Sequence, residues 1–252
     1  MNDFLQNPDL DGGSFVLPGN NESCVILLHG LTATTIEVKP LALYLNSQGG
    51  FQVYAPLLPG HGTSPADLNN VTWKDWLNQV ISIYQEASQK FQNVSIAGES
   101  MGGVLACLLA AEFKEIKKLV LYSPAIKVEN LGLSRFVRFF KKYIPKNSGN
   151  PTKQQEKFPW QGYKVHPTKG AYQLLKLQQI TRRKLSSISQ PVLIFQGKLD
   201  KTITTDSTHI VYNHIHSNQK ELVILDNSGH TIILDQEFDF VARKSLDFLI
   251  TK

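Results

Sequence analysis

Six short apolar runs, rich in β-branched residues and separated by longer segments of helical period, constrain this 252-residue chain more than any other feature. They are CVILLH (24–29), QVYAP (52–56), VSIAG (94–98), LVLYS (119–123), VLIFQG (192–197) and LVIL (222–225). Runs without polar alternation belong to strands covered on both faces, which is the condition of a parallel sheet. Helical patterns lie between and after them in EVKPLALYLNSQ, TWKDWLNQVISIYQEASQKF, MGGVLACLLAAEF, TDSTHIVYNHI and DQEFDFVARKSLDFLI. Thr72 followed by Asp75 gives the second of these a capping-box start. SFVLP (14–18) is the best candidate for one more strand before residue 24. The alternation predicts a doubly wound, mostly parallel α/β sheet. A chain of this length buries enough surface to form it as a single domain over residues 1–252.

The alternation breaks once. More than 60 residues separate the fourth run from the fifth, too many for one crossover, so residues 125–187 are read as an inserted, mostly helical cap subdomain. Its expected place is over the carboxyl ends of the strands, where open α/β sheets bind ligands. Charge marks the same segment. Residues 125–184 carry 14 Lys and Arg against two acids, Glu129 and Glu156, so the block is +12 and the remainder of a +5 chain is −7. Within it LSRFVRFFKKYI (133–144) sets Leu133, Phe136, Val137, Phe140 and Ile144 at helical spacing, with Arg135, Arg138 and Lys142 elsewhere on the wheel. The plain reading is a cap helix that packs its apolar face over the pocket; the sharper one is an interfacial helix in weak contact with anionic lipid. Aromatic residues in helical register with basic ones do not make a base-stacking groove, so no nucleic-acid partner is expected.

The N-terminus MNDFLQNPDLDGG carries acidic residues where a signal peptide is positive, and no apolar run approaches the roughly 20 residues that span a bilayer. A cytoplasmic protein is expected. Cys24 and Cys107 lie in apolar segments without paired spacing, which fits buried free thiols better than a disulfide or a metal site.

The chemistry centres on GESMGG (98–103), a G-x-S-x-G pattern between an apolar strand and a helix. A serine on so tight a turn needs small neighbours, and Gly98 and Gly102 supply them while Ser100 projects its hydroxyl. A serine hydroxyl needs a base and an orienting acid. Of seven histidines, His166, His209, His214, His216 and His230 follow the serine, and His230 alone sits in a loop that opens the last helix, directly after the last strand. The other four are read as solvated or structural. Asp200, three residues past the run ending at Gly197, is preferred as the acid, with Asp226 its rival and Asp206 a third. Backbone amides of Met101 and Leu31 would form an oxyanion hole, in a supporting loop made by His29 and Gly30. His29 and His61 are read as holding their loops and not as proton carriers.

Together LLHGLT, LLPGHGTSP, GESMGG, QGKLDKTI and SGHTIILDQE, in this order, resemble the α/β-hydrolase superfamily and within it the small bacterial carboxylesterases and monoacylglycerol lipases. The resemblance runs over residues 14–249. It implies the α/β-hydrolase fold and a serine carboxylic ester hydrolase that needs no cofactor or metal. Ser100 would be nucleophile, His230 base and Asp200 acid, with an acyl-enzyme intermediate on short- to medium-chain esters. A monoacylglycerol lipase working on longer chains at a lipid surface is the first alternative. A ligand-binding protein without turnover, on the same fold, is the second. A small-molecule ester is the expected partner, and a monomer or weak homodimer the expected state.

Overall fold

The computed structural model describes residues 4–146, 157–203 and 205–251. The sequence readings that rest on Asp3 and Glu156, and the part of the proposed cap from 147 to 156, lie outside these residues. In chain order the elements are β1 (Leu5–Gln6), β2 (Phe15–Leu17), β3 (Ser23–Leu28), α1 (Lys39–Gly49), β4 (Gln52–Ala55), α2 (Pro65–Asn70), α3 (Trp73–Lys90), β5 (Asn93–Glu99), α4 (Met101–Glu112) and β6 (Leu119–Tyr122). After β6 come α5 (Ser134–Val137), β7 (Tyr143–Pro145), β8 (Gly162–Tyr163), β9 (Val165–Pro167) and α6 (Thr168–Lys184). The chain ends with β10 (Val192–Gly197), α7 (Thr205–His214), β11 (Lys220–Leu225) and α8 (Phe238–Ile250).

Seven strands form the central sheet in the order β11-β10-β6-β5-β3-β4-β2, parallel except for β2, which runs antiparallel to β4 at the edge. All six apolar runs are in it, and SFVLP supplies β2. Burial on both faces explains the unbroken apolar sequence. Alternate residues enter two layers: Cys24, Ile26, Ile96, Leu121 and Ile194 face one, and Val25, Leu27, Ala97, Val120 and Phe195 face the other. The first layer is closed by α3, α4 and α6, the second by α1 and α8. Helix α4 is buried from Met101 to Ala111. A helix apolar all round needs cover all round, and α3 and α6 complete what the sheet begins. Among the described residues, no helix is long and apolar enough to cross a membrane.

Helix α3 starts as its sequence predicts, with the Asp75 carboxylate accepting from the Thr72 amide at 2.7 Å and from its hydroxyl at 2.8 Å. Helix α2 is an addition to the sequence reading. Its signals were local: Ser64 accepts the Asp67 amide at 3.2 Å and Pro65 opens the first turn.

The 133–144 helix is a correction. A 3-10 turn (Leu131–Leu133) runs into the single turn of α5, and the chain then leaves helical form to pair β7 antiparallel with β9, Ile144 opposite His166. The Thr168 amide donates to the Lys142 carbonyl at 3.1 Å and its hydroxyl to the Lys141 carbonyl at 2.5 Å, so tertiary hydrogen bonds take up the groups a longer helix would have used. Nor does the apolar face pack inward. Of the expected face only Val137 is half-buried; Leu133, Phe136 and Phe140 are 59, 65 and 87 % exposed, Ile144 is exposed too, and neighbouring Phe139 is 71 % exposed.

The contact between α4 and the sheet leaves no room for side chains. A Cβ on Gly102 would lie 2.2 Å from the Leu28 carbonyl oxygen, and one on Gly98 2.3 Å from the Gly102 carbonyl carbon. Gly102→Ala is therefore expected to destabilise the protein by about 3 kcal/mol, read as a lower urea midpoint at unchanged slope. An unaltered midpoint would mean that α4 can withdraw from β3 at little cost.

Candidate active site

Strand β5 ends and α4 begins on Ser100, whose φ of 53° and ψ of −112° are rare for a residue with a side chain. Such a conformation costs about 1–3 kcal/mol. Three hydrogen bonds hold it: the Ser100 amide to the Tyr122 carbonyl at 2.9 Å, and the amides of Ala125 and Val104 to the Ser100 carbonyl at 3.1 and 3.3 Å. Burial of Val104, Leu105, Leu108 and Leu109 adds about 1.5–3 kcal/mol for each side chain, so packing of α4 outweighs the strain at its first residue.

The turn sets the Ser100 hydroxyl 2.9 Å from His230 Nε2, and His230 Nδ1 lies 2.7 Å from Asp200 Oδ2. The carboxylate accepts only, so Nδ1 carries the proton and Nε2 is left to accept from the serine. Asp200 Oδ1 takes the amides of Thr202 and Ile203 at 2.7 and 2.9 Å, and Oδ2 also takes Gln196 Nε2 at 3.0 Å. Burial alone would raise this carboxyl. The facing His230 and the hydrogen bonds from His230, Ile203 and Thr202 overcome it and hold Asp200 below the usual carboxylate range.

The loop that carries His230 is tied by two acids the sequence reading did not single out. Asp235 accepts the Gly229 amide at 2.6 Å, and Glu237 accepts the Asn227 amide at 2.9 Å and the Ser228 hydroxyl at 2.7 Å. The rival acids are engaged elsewhere, Asp226 with Lys198 at 3.0 Å and Asp206 with Lys127 at 3.1 Å, both on the surface. His209, His214 and His216 remain exposed on or just beyond α7.

On the other side of Ser100 lies the loop after β3. His29 Nε2 accepts the Leu58 amide at 3.0 Å, so its Nδ1 bears the proton and donates to the Gly30 carbonyl at 2.9 Å. Burial draws this imidazole down to about 4, which keeps it neutral and in that tautomer. His61 is likewise buried, bonded to the Leu58 and Pro59 carbonyls and packed on His29 and Trp76. Both histidines hold loops, as the sequence implied. Among the described contacts neither Leu31 nor Met101 gives its amide to a protein acceptor.

Two buried acids beside the serine escaped the sequence reading. Glu37, at the end of a 3-10 turn (Thr35–Glu37), takes the Gly30 amide on Oε2 at 2.5 Å and the Trp160 indole N–H on Oε1 at 3.0 Å. Burial pushes its carboxyl up, and those two donors, with the charges of His230 and Lys146, pull it partly back. Glu99 is fully buried and neither oxygen makes a well-formed hydrogen bond. Burial and then the charges of Glu37 and Asp200 drive it far above the carboxylate range, against a weak pull from the Ile233 amide. Glu99 therefore holds its proton more tightly than an exposed glutamate.

Sheet order, the strained turn and the hydrogen-bonded chain from Ser100 to Asp200 define an α/β hydrolase. The sequence profile of the serine aminopeptidase S33 family of hydrolases matches residues 19–237, and the chain belongs to that family. It is 32 % identical over 248 residues to a thermostable monoacylglycerol lipase of Bacillus sp. (strain H-257), covering 96 % of each chain. A carboxylesterase of Bacillus subtilis (strain 168) is 31 % identical over 244 residues, 93 % of this chain and 95 % of the relative. A solved structure of the metagenome-derived lipolytic enzymes LipS and LipT superposes with a TM-score of 0.87 at 25 % identity, over 94 % of this chain and 97 % of that one. The monoacylglycerol lipase of Paleococcus ferrophilus has the same fold, with a TM-score of 0.76 at 19 % identity over 95 and 98 % of the two chains.

A carboxyl whose folded value is raised stabilises the fold below its unfolded value and loses that contribution as pH rises. For Glu99 the unfolded value is 4.5. The melting temperature of Glu99→Gln, minus that of the wild type, should therefore grow as pH rises from about 4.5 towards 8. A difference independent of pH would show that Glu99 binds its proton no more tightly in the folded state.

Proposed function

We propose that the protein hydrolyses carboxylic esters of short to medium acyl chain, with Ser100 as nucleophile, His230 as general base and then acid, and Asp200 as the orienting acid. The observation that carries this reading is the unbroken hydrogen-bonded path Ser100–His230–Asp200 on a strained turn, with the amides of Leu31 and Met101 given no acceptor among the described residues. Attack by Ser100 Oγ on the ester carbonyl moves the hydroxyl proton to His230 Nε2, and Asp200 stabilises the imidazolium across Nδ1–H. The developing oxyanion turns to the two amides. Collapse expels the alcohol, which takes the proton from Nε2. Water then gives its proton to the same nitrogen, attacks the acyl-enzyme and releases the acid, and Ser100 regains its proton.

Residues 125–187 act in this reading as the cap. A second reading, hydrolysis of monoacylglycerols at a lipid surface, is favoured by one observation: Phe136, Phe139 and Phe140 project outward among Arg135, Arg138, Lys141 and Lys142. Aromatic side chains with interleaved cations suit an anionic bilayer surface. The two buried free thiols, Cys24 and Cys107, support a reducing, cytoplasmic setting.

Steady-state rates across p-nitrophenyl esters and monoacylglycerols of increasing chain length test the proposal. Ser100→Ala should lower kcat by about 10⁴-fold or more at unchanged folding. A maximum at short or medium chains supports the first reading and a maximum on long-chain monoacylglycerols the second, whereas an active alanine variant or no ester turnover refutes both. For lipid contact, Phe136→Ser/Phe140→Ser should lose binding to vesicles containing phosphatidylglycerol, and binding of the wild type should weaken with salt. Equal binding to neutral vesicles, indifferent to salt, would remove the electrostatic part of the second reading.

A further inference from the structure

A peptide N–H in an oxyanion hole is useful only if the plane that carries it is fixed before the reaction. The plane at issue is the Gly30–Leu31 peptide. Its carbonyl is held by His29 Nδ1–H at 2.9 Å and the Ala33 amide at 3.3 Å. Because the bond is trans, the Leu31 N–H points the opposite way. The preceding peptide is fixed from the other side, with the Gly30 N–H donating to Glu37 Oε2 at 2.5 Å. Gly30 is wedged between carboxylate and nucleophile: a Cβ there would stand 3.1 Å from Glu37 Oε2 and 3.3 Å from Ser100 Cβ.

Glu37 is in turn held by a residue 123 positions away, in the inserted segment, where Trp160 donates its indole N–H to Oε1 at 3.0 Å. The same segment grips the loop at further points. Lys146 Nζ, 4.4 Å from the Trp160 ring centre, donates to the Thr32 hydroxyl at 2.6 Å. The Tyr163 amide donates to the Thr32 carbonyl at 2.8 Å, and the Thr34 amide donates to the Gln161 carbonyl at 3.1 Å. Thr32 needs such holding, since its φ of 69° is unfavourable for a β-branched residue.

We infer that Glu37 is a positioning residue for the oxyanion loop, oriented by Trp160, so that the inserted segment takes part in the acyl-transfer step through the Glu37 carboxylate. The inference rests on the proposed triad and oxyanion hole. Both carboxylate oxygens accept an N–H, and a carboxamide has one oxygen for two donors. Glu37→Gln therefore sets an NH2 against the Gly30 or Trp160 N–H and displaces one of them. Removing the indole N–H as well, in Glu37→Gln/Trp160→Phe, lets the amide oxygen return to Gly30.

The test uses the full chain and an ester the wild type turns over, with inhibition by an alkylboronic acid, which forms a tetrahedral adduct on the serine, and thermal unfolding alongside. Glu37→Gln should lower kcat about 10- to 100-fold with KM little changed and weaken the boronic acid by a similar factor. Trp160→Phe should lower both by a smaller, matching factor. The double variant should regain several-fold in kcat over Glu37→Gln alone. Glu37→Gln with wild-type kcat, a change confined to KM, or a double variant no better than the single would each overturn the inference. If Glu37→Gln does not fold, Trp160→Phe decides, since unchanged kcat and unchanged boronic acid affinity refute it. A wild type that turns over no ester is a different result, and it is the proposed function that then falls.

Discussion

The close approach of α4 to β3 and β5 is the constraint from which the rest follows. With no side chains at Gly98 and Gly102, the helix sits against the strand ends, and the chain has a single residue, Ser100, in which to turn from strand to helix. The turn forces that residue into a conformation that a free chain avoids. It can do so because α4 is buried all round, and burial all round requires α6 from the inserted segment as well as α3. The strain at the serine is thus balanced in part by packing of α6, which begins 68 residues further along the chain.

Three carboxyl groups, Glu37, Glu99 and Asp200, lie within each other's influence beside Ser100, and hydrogen bonding separates their roles. Asp200 takes two backbone amides, a side-chain amide and the imidazole N–H, and is held charged in spite of burial. Glu37 has two donors and lies between the extremes. Glu99 has no well-formed hydrogen bond among the described residues, and its carboxyl is pushed up furthest. Three full charges so close together, away from water, would repel strongly. A raised Glu99 carboxyl lessens that repulsion and leaves Asp200, the best hydrogen-bonded of the three, to face His230.

The parts of this architecture legible in the sequence are those written in neighbouring residues. Unbroken apolar runs mark the strands and G-x-S-x-G the tight turn, and the histidine in the loop after the last strand is the proposed base, 2.9 Å from the Ser100 hydroxyl. Asp200 is preferable to Asp226 on sequence because Asp226 leaves the same strand end as His230 and would need the chain to fold back; the Thr202 and Ile203 amides that close on the Asp200 carboxylate are visible only in the structure. Helical spacing over 133–144 misled, since the periodic pattern says nothing of a distant strand that pairs with 143–145 and unwinds it. Glu37 and Trp160 were invisible for the same reason. Each is unremarkable locally, and their hydrogen bond spans 123 residues.

That long span bears on how a hydrolase of this design depends on its inserted segment. A cap that only covered the pocket could be lengthened or replaced with no effect beyond substrate choice. Here residues Lys146 and Trp160 to Tyr163 bond Thr32, Thr34 and Glu37, the residues that flank and support the Leu31 amide. Thr32 in a left-handed conformation is not a state the loop would keep unaided. The β3 loop carries the Leu31 amide of the proposed oxyanion hole, and its conformation is held jointly with the segment between β6 and β10. If the proposed oxyanion hole operates, changes in that segment reach the carbonyl under attack as well as the chain being bound, and the two effects separate as kcat and KM.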